Sequence, residues 1–293
     1  RLLGAGSLGE VASFFMAITF GEHAPAEIER LALSFFPFEP TDLQIKIGRF
    51  EPELHGVSIH RNVLGHQLRF TTIQPFHSPF SVEPYVQGIQ LSGVVAGRAG
   101  WAAGVVQNNP AIAGIEKDLY ARVEGKAGGM RLDGLHAEAE SKAWRENSVT
   151  FGVSGYRGVS EITVDGSTSQ DRFVRTGADV HAVLQDFMVD VAVARQWYEA
   201  AGAFGGDARA LHLGYAELTY VTWPWLFPTV RLEAYYTSGS AEESHFEPGW
   251  IGLAGINCLI RPNIVLRSDT AIGADPGSHL DFRFVALSAV VAL

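Results

Sequence analysis

Charged side chains recur at every second position in several stretches of the sequence. Between residues 117 and 127, Arg122, Glu124 and Lys126 alternate with small or apolar side chains. A row of such charges sets ion preference when the strand face that carries it lines a water-filled channel. The same charges can also pair between neighbouring strands and hold a wall together, and both interpretations stay open. The residues that we predict to line a pore are Arg122, Glu124, Lys126, Arg175, Asp179, Asp190, Arg231, Glu233, Arg267 and Asp269.

Histidine is concentrated in one polar span of the chain. His55, His60, His66 and His77 all lie within it. Clustered histidines can ligate a metal, but these spacings match no helix-face or zinc-finger pattern, so we predict no metal site. A polar loop rich in histidine is the simplest interpretation. The alternative is that this span folds into a channel and narrows it, with His55, His60, Arg61 and His66 at the constriction.

Alternation with a period of two residues extends along the whole chain and is typical of strands whose two faces meet different environments. The segments are longer than the strands of most soluble sandwiches and long enough for a tilted strand to cross a bilayer. Short turns such as Pro40–Asp42 alternate with longer polar stretches such as Gln107–Glu116 and Glu161–Asp171. The predicted strands are Val11–Phe20, Arg30–Phe36, Asp42–Phe50, Gln67–Phe76, Tyr85–Gly97, Ala99–Gln107, Lys117–Ala127, Ser148–Gly158, Arg172–Leu184, Gln185–Val193, Ala208–Thr222, Thr229–Thr237, Trp250–Ile260, Asn263–Ile272 and His279–Leu293.

Alternation alone does not say whether lipid or a protein core covers the apolar face. The opposite face often carries small residues, as at Ser148, Thr150, Gly152 and Ser154, and only 18% of all residues are charged. The outer surface of a soluble protein usually carries more charge than this. Aromatic residues gather near strand ends, as they do at membrane interfaces; they include Trp197, Tyr198, Trp223, Trp225, Tyr235, Tyr236 and Trp250.

These observations predict an all-β fold, an antiparallel transmembrane β-barrel of about 14–16 strands that forms one domain over residues 1–293. So many strands exceed what a barrel filled by its own side chains accommodates. A soluble all-β binding protein is the alternative.

Several functional classes are excluded or disfavoured. The net charge of −10 argues against a nucleic-acid partner. The single cysteine, Cys258, and the lack of a Cys-x-x-Cys-His motif exclude a haem attached to this chain, and we expect no other cofactor. No sequence supports an enzyme: His77-Ser78 lacks the following Asn of a lipase relay, and Asp133 with His136 does not complete a protease site.

Three pieces of the sequence resemble bacterial outer-membrane porins. The run Arg30–Glu51 reads as a hairpin whose second strand ends in Gly-Arg-Phe-Glu before a long loop, and Gly88–Val106 and Asp118–Gly128 are similar in layout. Porin barrels usually end on an aromatic residue, whereas this sequence ends on Ala292-Leu293. The resemblance implies a barrel in the lipid bilayer of a bacterial outer membrane, a homotrimer, and passive diffusion of ions and small polar solutes.

A second group of porin-like barrels is similar in appearance and encloses a multihaem c-type cytochrome for electron transfer across the membrane. Such a sleeve needs a wide lumen lined by small residues and no haem motif of its own, and this sequence meets both conditions. The stretch Ser58–Arg61, after the strand end at Gly48–Glu51, also resembles that group. The diffusion porin remains the first hypothesis and the sleeve the second.

Overall fold

The computed structural model describes residues 2–19, 26–38, 43–56, 85–107, 117–133, 147–164, 167–198, 209–239, 249–261, 264–274 and 281–291. Within these ranges every regular element is a strand. Their bounds are β1 Leu2–Ser7, β2 Ala12–Thr19, β3 Glu27–Phe35, β4 Gln44–Phe50, β5 Val86–Val95, β6 Ala99–Gln107, β7 Asp118–Gly128, β8 Ser148–Val164, β9 Ser167–Leu184, β10 Phe187–Tyr198, β11 Arg209–Tyr220, β12 Leu226–Gly239, β13 Gly249–Arg261, β14 Ile264–Ala274 and β15 Asp281–Val291.

Each strand pairs with the strand that follows it in the sequence, and every pairing is antiparallel. The result is a single 15-stranded sheet in the order β1 to β15. Antiparallel neighbours of this kind need only hairpin connections. The prediction of an all-β antiparallel fold is confirmed, and the strand number found in the described ranges lies within the predicted range.

Most predicted strands overlap one of β2–β15, and two differences stand out. The first strand, Leu2–Ser7, was not predicted, whereas the predicted strand Gln67–Phe76 lies outside the described residues. The predicted long loop Glu161–Asp171 is wrong, because β8 and β9 continue through it and pair from Ser148↔Val183 to Val164↔Ser167. β-Branched residues such as Ile162, Thr163 and Val164 favour this extended backbone.

The sheet exposes its apolar face and buries its charged face, which is the reverse of a soluble barrel. We call the face that carries Val123 the outer face and the face that carries Arg122 the inner face. Val123 is 55% exposed, and the neighbouring Arg122 is 5% exposed. Large apolar side chains are exposed along the outer face of most strands, including Val105, Phe151, Val193, Leu232 and Ile256. A soluble barrel buries its apolar face, so the soluble all-β alternative does not fit this arrangement.

The connections differ between the two rims of the sheet. We call the rim with residues 185–186, 221–225 and 262–263 between its strands the short rim, and the opposite one, with residues 51–85 and 199–208, the long rim. One connection of the short rim, residues 129–147, is longer than the others there. None of the described residues form a helix long and apolar enough to cross a bilayer.

Gly48 lies in the stretch that resembles porins, and its backbone conformation explains why this residue is a glycine. Its φ angle is +130°, a conformation that side chains other than glycine rarely adopt. A Cβ atom at this position would also collide with the carbonyl oxygen of Leu31 on β3. The strand end of β4 therefore depends on a residue without a side chain.

Candidate functional site

The structure places nine of the ten predicted pore-lining residues on the inner face. Arg122, Arg175, Asp179, Arg231 and Glu233 are buried there, and Glu124, Lys126, Asp190 and Arg267 are half-buried. The side chain of Asp269 lies outside the described part, but its backbone pairs with Gly255 two positions from the Asn257↔Arg267 pair.

A short piece of chain crosses this inner face. Residues 51–56, which we call the inner segment, leave the end of β4 on the long rim. Glu53 Oε1 accepts hydrogen bonds from Lys46 Nζ on β4 at 2.9 Å and from Gln90 Nε2 on β5 at 2.6 Å. The carbonyl oxygen of Leu54 accepts a bond from Arg122 on β7 at 3.3 Å, and the Leu54 side chain is buried. The inner segment is thus fixed to several strands at once.

His55 continues the inner segment as far as β9. Its Nε2 lies 3.2 Å from Nη2 of Arg175, and a Cβ at Gly177 would lie 2.9 Å from its Cε1. Burial, together with the positive charges of Arg175 and Arg122, holds the pKa of His55 well below its usual value. The imidazole is therefore neutral near pH 7. The other predicted constriction residues, His60, Arg61 and His66, lie outside the described residues.

The Arg122 side chain on β7 reaches across β8 and pairs with Asp179 on β9. Its guanidinium donates to both carboxylate oxygens, at 2.5 and 2.8 Å, and to Glu124 Oε2 at 2.9 Å. Asp179 lies on β9, and the register pairs it with Gly152 of β8, which in turn pairs with Glu124 on β7. A Cβ atom at Gly152 would collide with the guanidinium. The missing side chain at Gly152 therefore leaves the space through which the Arg122 side chain crosses β8.

A second group of charges forms a row across β9 to β12. The backbone register aligns His181, Asp190, Glu217 and Arg231. His181 Nδ1 lies 2.7 Å from Asp190 Oδ1, and Arg231 donates to Glu217 Oε2 at 2.7 and 2.8 Å. These contacts are ion pairs or hydrogen bonds between strands on the inner face, as the second interpretation of the charges predicted.

The sequence analysis missed a row of aromatic rings on the inner face. Tyr120, Tyr156, Phe173 and Tyr198 follow one another across β7 to β10, with ring centroids 5.7 to 6.4 Å apart. All four are buried, together with Leu54 of the inner segment. The Tyr156 hydroxyl donates to Asp118 Oδ2 at 2.5 Å. The signal available was parity, because Tyr120 shares its phase with Arg122.

Aromatic residues predicted at membrane interfaces divide between the two faces. Trp223, Trp225, Tyr236 and Trp250 are exposed. Tyr198 instead faces inwards and is buried, and Tyr235 packs against inner apolar residues. Proximity to a strand end does not determine the face, whereas the position within the alternation does.

Two cavities flank the inner segment. One, of about 290 Å³, is lined by residues that include Ser92, Arg122 and Glu124, and the other, of about 300 Å³, by residues that include Arg30 and Lys46. Glu53 and His55 contribute to both. The inner segment therefore separates two spaces on the inner face.

Comparison with solved structures relates this sheet to bacterial porins. The chain matches an anion-selective porin from Comamonas acidovorans at a TM-score of 0.66 and 10% identity, covering 99% of this chain and 83% of the porin. The loop L8 deletion mutant of OmpT, an outer-membrane protein of Vibrio cholerae, gives 0.63 at 8% identity, with 99% and 88% covered. A trimer form of OmpT gives 0.57 at 10% identity, with 98% and 86% covered.

The outer-membrane channel DcaP of Acinetobacter baumannii gives a TM-score of 0.59 at 11% identity, with 98% of this chain and 82% of DcaP covered. No family model and no curated protein sequence matches the chain. At these identities the structural matches establish the fold alone. The chain has the fold of an outer-membrane porin β-barrel.

Proposed function

We propose that this protein is an outer-membrane porin whose inner face lines a water-filled passage for ions and small polar solutes. The observation that carries the proposal is the direction of the two faces. Exposed Val, Leu, Ile and Phe side chains cover the outer face, while charged and amide side chains such as Arg122, Asp179 and Gln90 are on the inner face. Lipid is the solvent that such an outer face requires.

The height of the outer apolar band supports this location. On β10 the outward positions run from Phe187 to Trp197, with Val191 and Val193 exposed between them. Ten residues at roughly 3.3 Å each, tilted by about 40°, give about 25 Å. This is the height of the apolar band of outer-membrane barrels. Aromatic side chains border it, with Phe187 and Tyr220 in contact at one rim and Trp197 at the other.

The inner segment narrows the proposed passage. It places Glu53, Leu54 and His55 against the inner walls of β4, β5, β7 and β9. Charged side chains on both sides, Lys46 and Arg122 among them, bias which ions pass. The pore-lining residues predicted from the sequence supply the remaining charges on the wall, with Asp190 and Arg231 in the row across β9 to β12.

A homotrimer is the assembly that we propose, since one of the matched OmpT structures is described as a trimer form.

The cytochrome sleeve is the weaker proposal, because its argument depended on small residues leaving the lumen wide. Gly104, Gly152 and Gly158 are small, but the side chains of Tyr120, Arg122 and Phe173 occupy the space above them. With no haem motif on the chain, haem would come only from such a partner.

The test is conductance in a planar bilayer. The refolded full chain, added in detergent to a planar bilayer in 1 M salt as a fixed condition, should produce stepwise increases of current that persist without any cofactor. The purified protein should be colourless, with no haem absorbance near 400 nm, a wavelength fixed by porphyrin chemistry. Failure to insert, or insertion without conductance, would contradict the porin proposal, and a red sample would favour the sleeve.

A further inference from the structure

Three arginines interrupt the apolar outer face close to the long rim. Arg157 on β8, Arg172 on β9 and Arg195 on β10 are all exposed, on three consecutive strands. We call them the arginine cluster. Each shares its parity with exposed outward residues, as Arg157 does with Val153 and Arg195 with Val193. The cluster therefore faces the same medium as the apolar band.

The backbone register places the three arginines in three adjacent rows of the outer face. Arg157 and Trp197 pair with Val174 from its two sides. Arg195 pairs with Thr176, one row closer to the middle of the band, whereas Arg172 pairs with Val159, one row further out. Arg157 and Arg172 are diagonal neighbours on adjacent strands, roughly 7–8 Å apart, and Arg195 lies one row from Arg157 on the second strand along. Side chains as long as arginine can thus converge on one group between them.

Flat and polar side chains adjoin the cluster. The Arg195 guanidinium lies over the Trp197 ring, 5.0 Å from its centroid. In the same row as Arg195, the rings of His212 and Tyr236 stack with centroids 4.3 Å apart, and His212 Nε2 lies 3.0 Å from Ser238 Oγ. Side chains that can form hydrogen bonds therefore lie next to the exposed valines, on the side of the long rim.

The short rim of the same strands differs. There the described outward positions carry apolar side chains instead of cations: Val149 on β8, Leu184 on β9, and Phe187 on β10, whose ring contacts Tyr220 of β11. A general need for interfacial anchors would apply to both rims. The chain as a whole carries a net charge of −10, so a generally basic surface does not explain the cluster either. On β8, β9 and β10, the described arginines of the outer face therefore lie only near the long rim.

We propose that the arginine cluster binds a phosphorylated lipid headgroup in the leaflet at the long rim. Guanidinium groups bind phosphate oxygens through paired hydrogen bonds, and cations at headgroup level attract anionic lipids. Trp197 and Tyr236 would contact the sugar or acyl region of the same lipid. This inference depends on the proposed membrane location, and it goes beyond the passage of solutes because it concerns the outer face.

The test measures lipid retention by the refolded full chain in zwitterionic micelles. Lipid A, a glycolipid with two phosphates, is titrated in, and native mass spectrometry gives the bound fraction. We expect the R157Q/R172Q/R195Q variant to bind at least about tenfold more weakly than the wild type. The matched control R261Q, which changes an exposed arginine at the end of β13 on the short rim, should stay within about twofold. Inorganic phosphate at equal concentration should not displace the lipid.

Four results would overturn the proposal. The triple variant could bind lipid A as the wild type does, or R261Q could lose binding equally, or inorganic phosphate could compete at equal concentration, which would indicate a site for soluble anions. A change in the oligomer on an unheated gel, with lipid binding intact, would assign the cluster to contacts with a second copy and also contradict it. Bilayer conductance of the triple variant separates the two proposals, because it should remain that of the wild type even when lipid binding is lost.

Discussion

At the scale of single residues, the inner face depends on glycines that leave space for their neighbours. The Arg122 guanidinium reaches Asp179 only by passing over Gly152. We predict that Gly152→Ala lowers the free energy of unfolding by about 1–3 kcal/mol, because the methyl group displaces a buried charge from its partner. Urea titration in micelles measures this. Gly155→Ala is the control, since a Cβ there has no heavy atom within 4 Å, and equal losses in both variants would contradict the explanation.

His55 gives the fold a dependence on pH. Its pKa is lowered by burial and by Arg175 and Arg122, so the folded state holds the neutral imidazole while the unfolded chain takes up a proton below about pH 6.5. Stability should therefore be lost as pH falls below that value, by up to about 1.4 kcal/mol per pH unit. Unfolding of the wild type and of His55→Gln across pH 5–8, a range chosen around the histidine pKa, measures the difference. An identical dependence of stability on pH in both proteins would contradict the assignment to His55.

At the scale of elements, the inner segment is the part of the chain that controls the passage. Replacing Glu53, Leu54 and His55 with Gly, Ser and Gly removes three side chains from the inner face. We predict that single-channel conductance rises about twofold, because the passage widens and the inner segment loses its contacts with Gln90 and Arg175. The control replaces Leu8 and Glu10 with Ser and Gly in an exposed connection on the short rim, keeps Gly9 because its φ is +71°, and should leave conductance unchanged. Unaltered conductance in the first variant would show that the inner segment is not the constriction.

Local patterns predicted the strands better than they predicted the site. Alternation located β2–β15, but Leu2–Ser7 is only six residues long and contains two glycines, so its pattern is weak. The inner segment was suggested only through its histidine. Its contacts join Glu53 to Gln90, 37 residues apart, and His55 to Arg175, 120 residues apart. Contacts over such separations depend on the order and register of the strands, which periodicity does not contain.

At the scale of the whole molecule, the account depends on which medium touches each face. Single cysteines on β8, introduced into a Cys258→Ala background and labelled with a fluorophore in reconstituted vesicles, measure this directly. Phe151 and Val153 are 60% and 51% exposed on the outer face, whereas Thr150 and Ser154 lie on the inner face.

We predict that brominated lipids quench the label at positions 151 and 153, while aqueous iodide quenches it at 150 and 154. Alternation of quencher from one residue to the next would place lipid outside and water inside. Iodide quenching at 151 and 153 without quenching by brominated lipid would contradict the membrane barrel, and with it the channel.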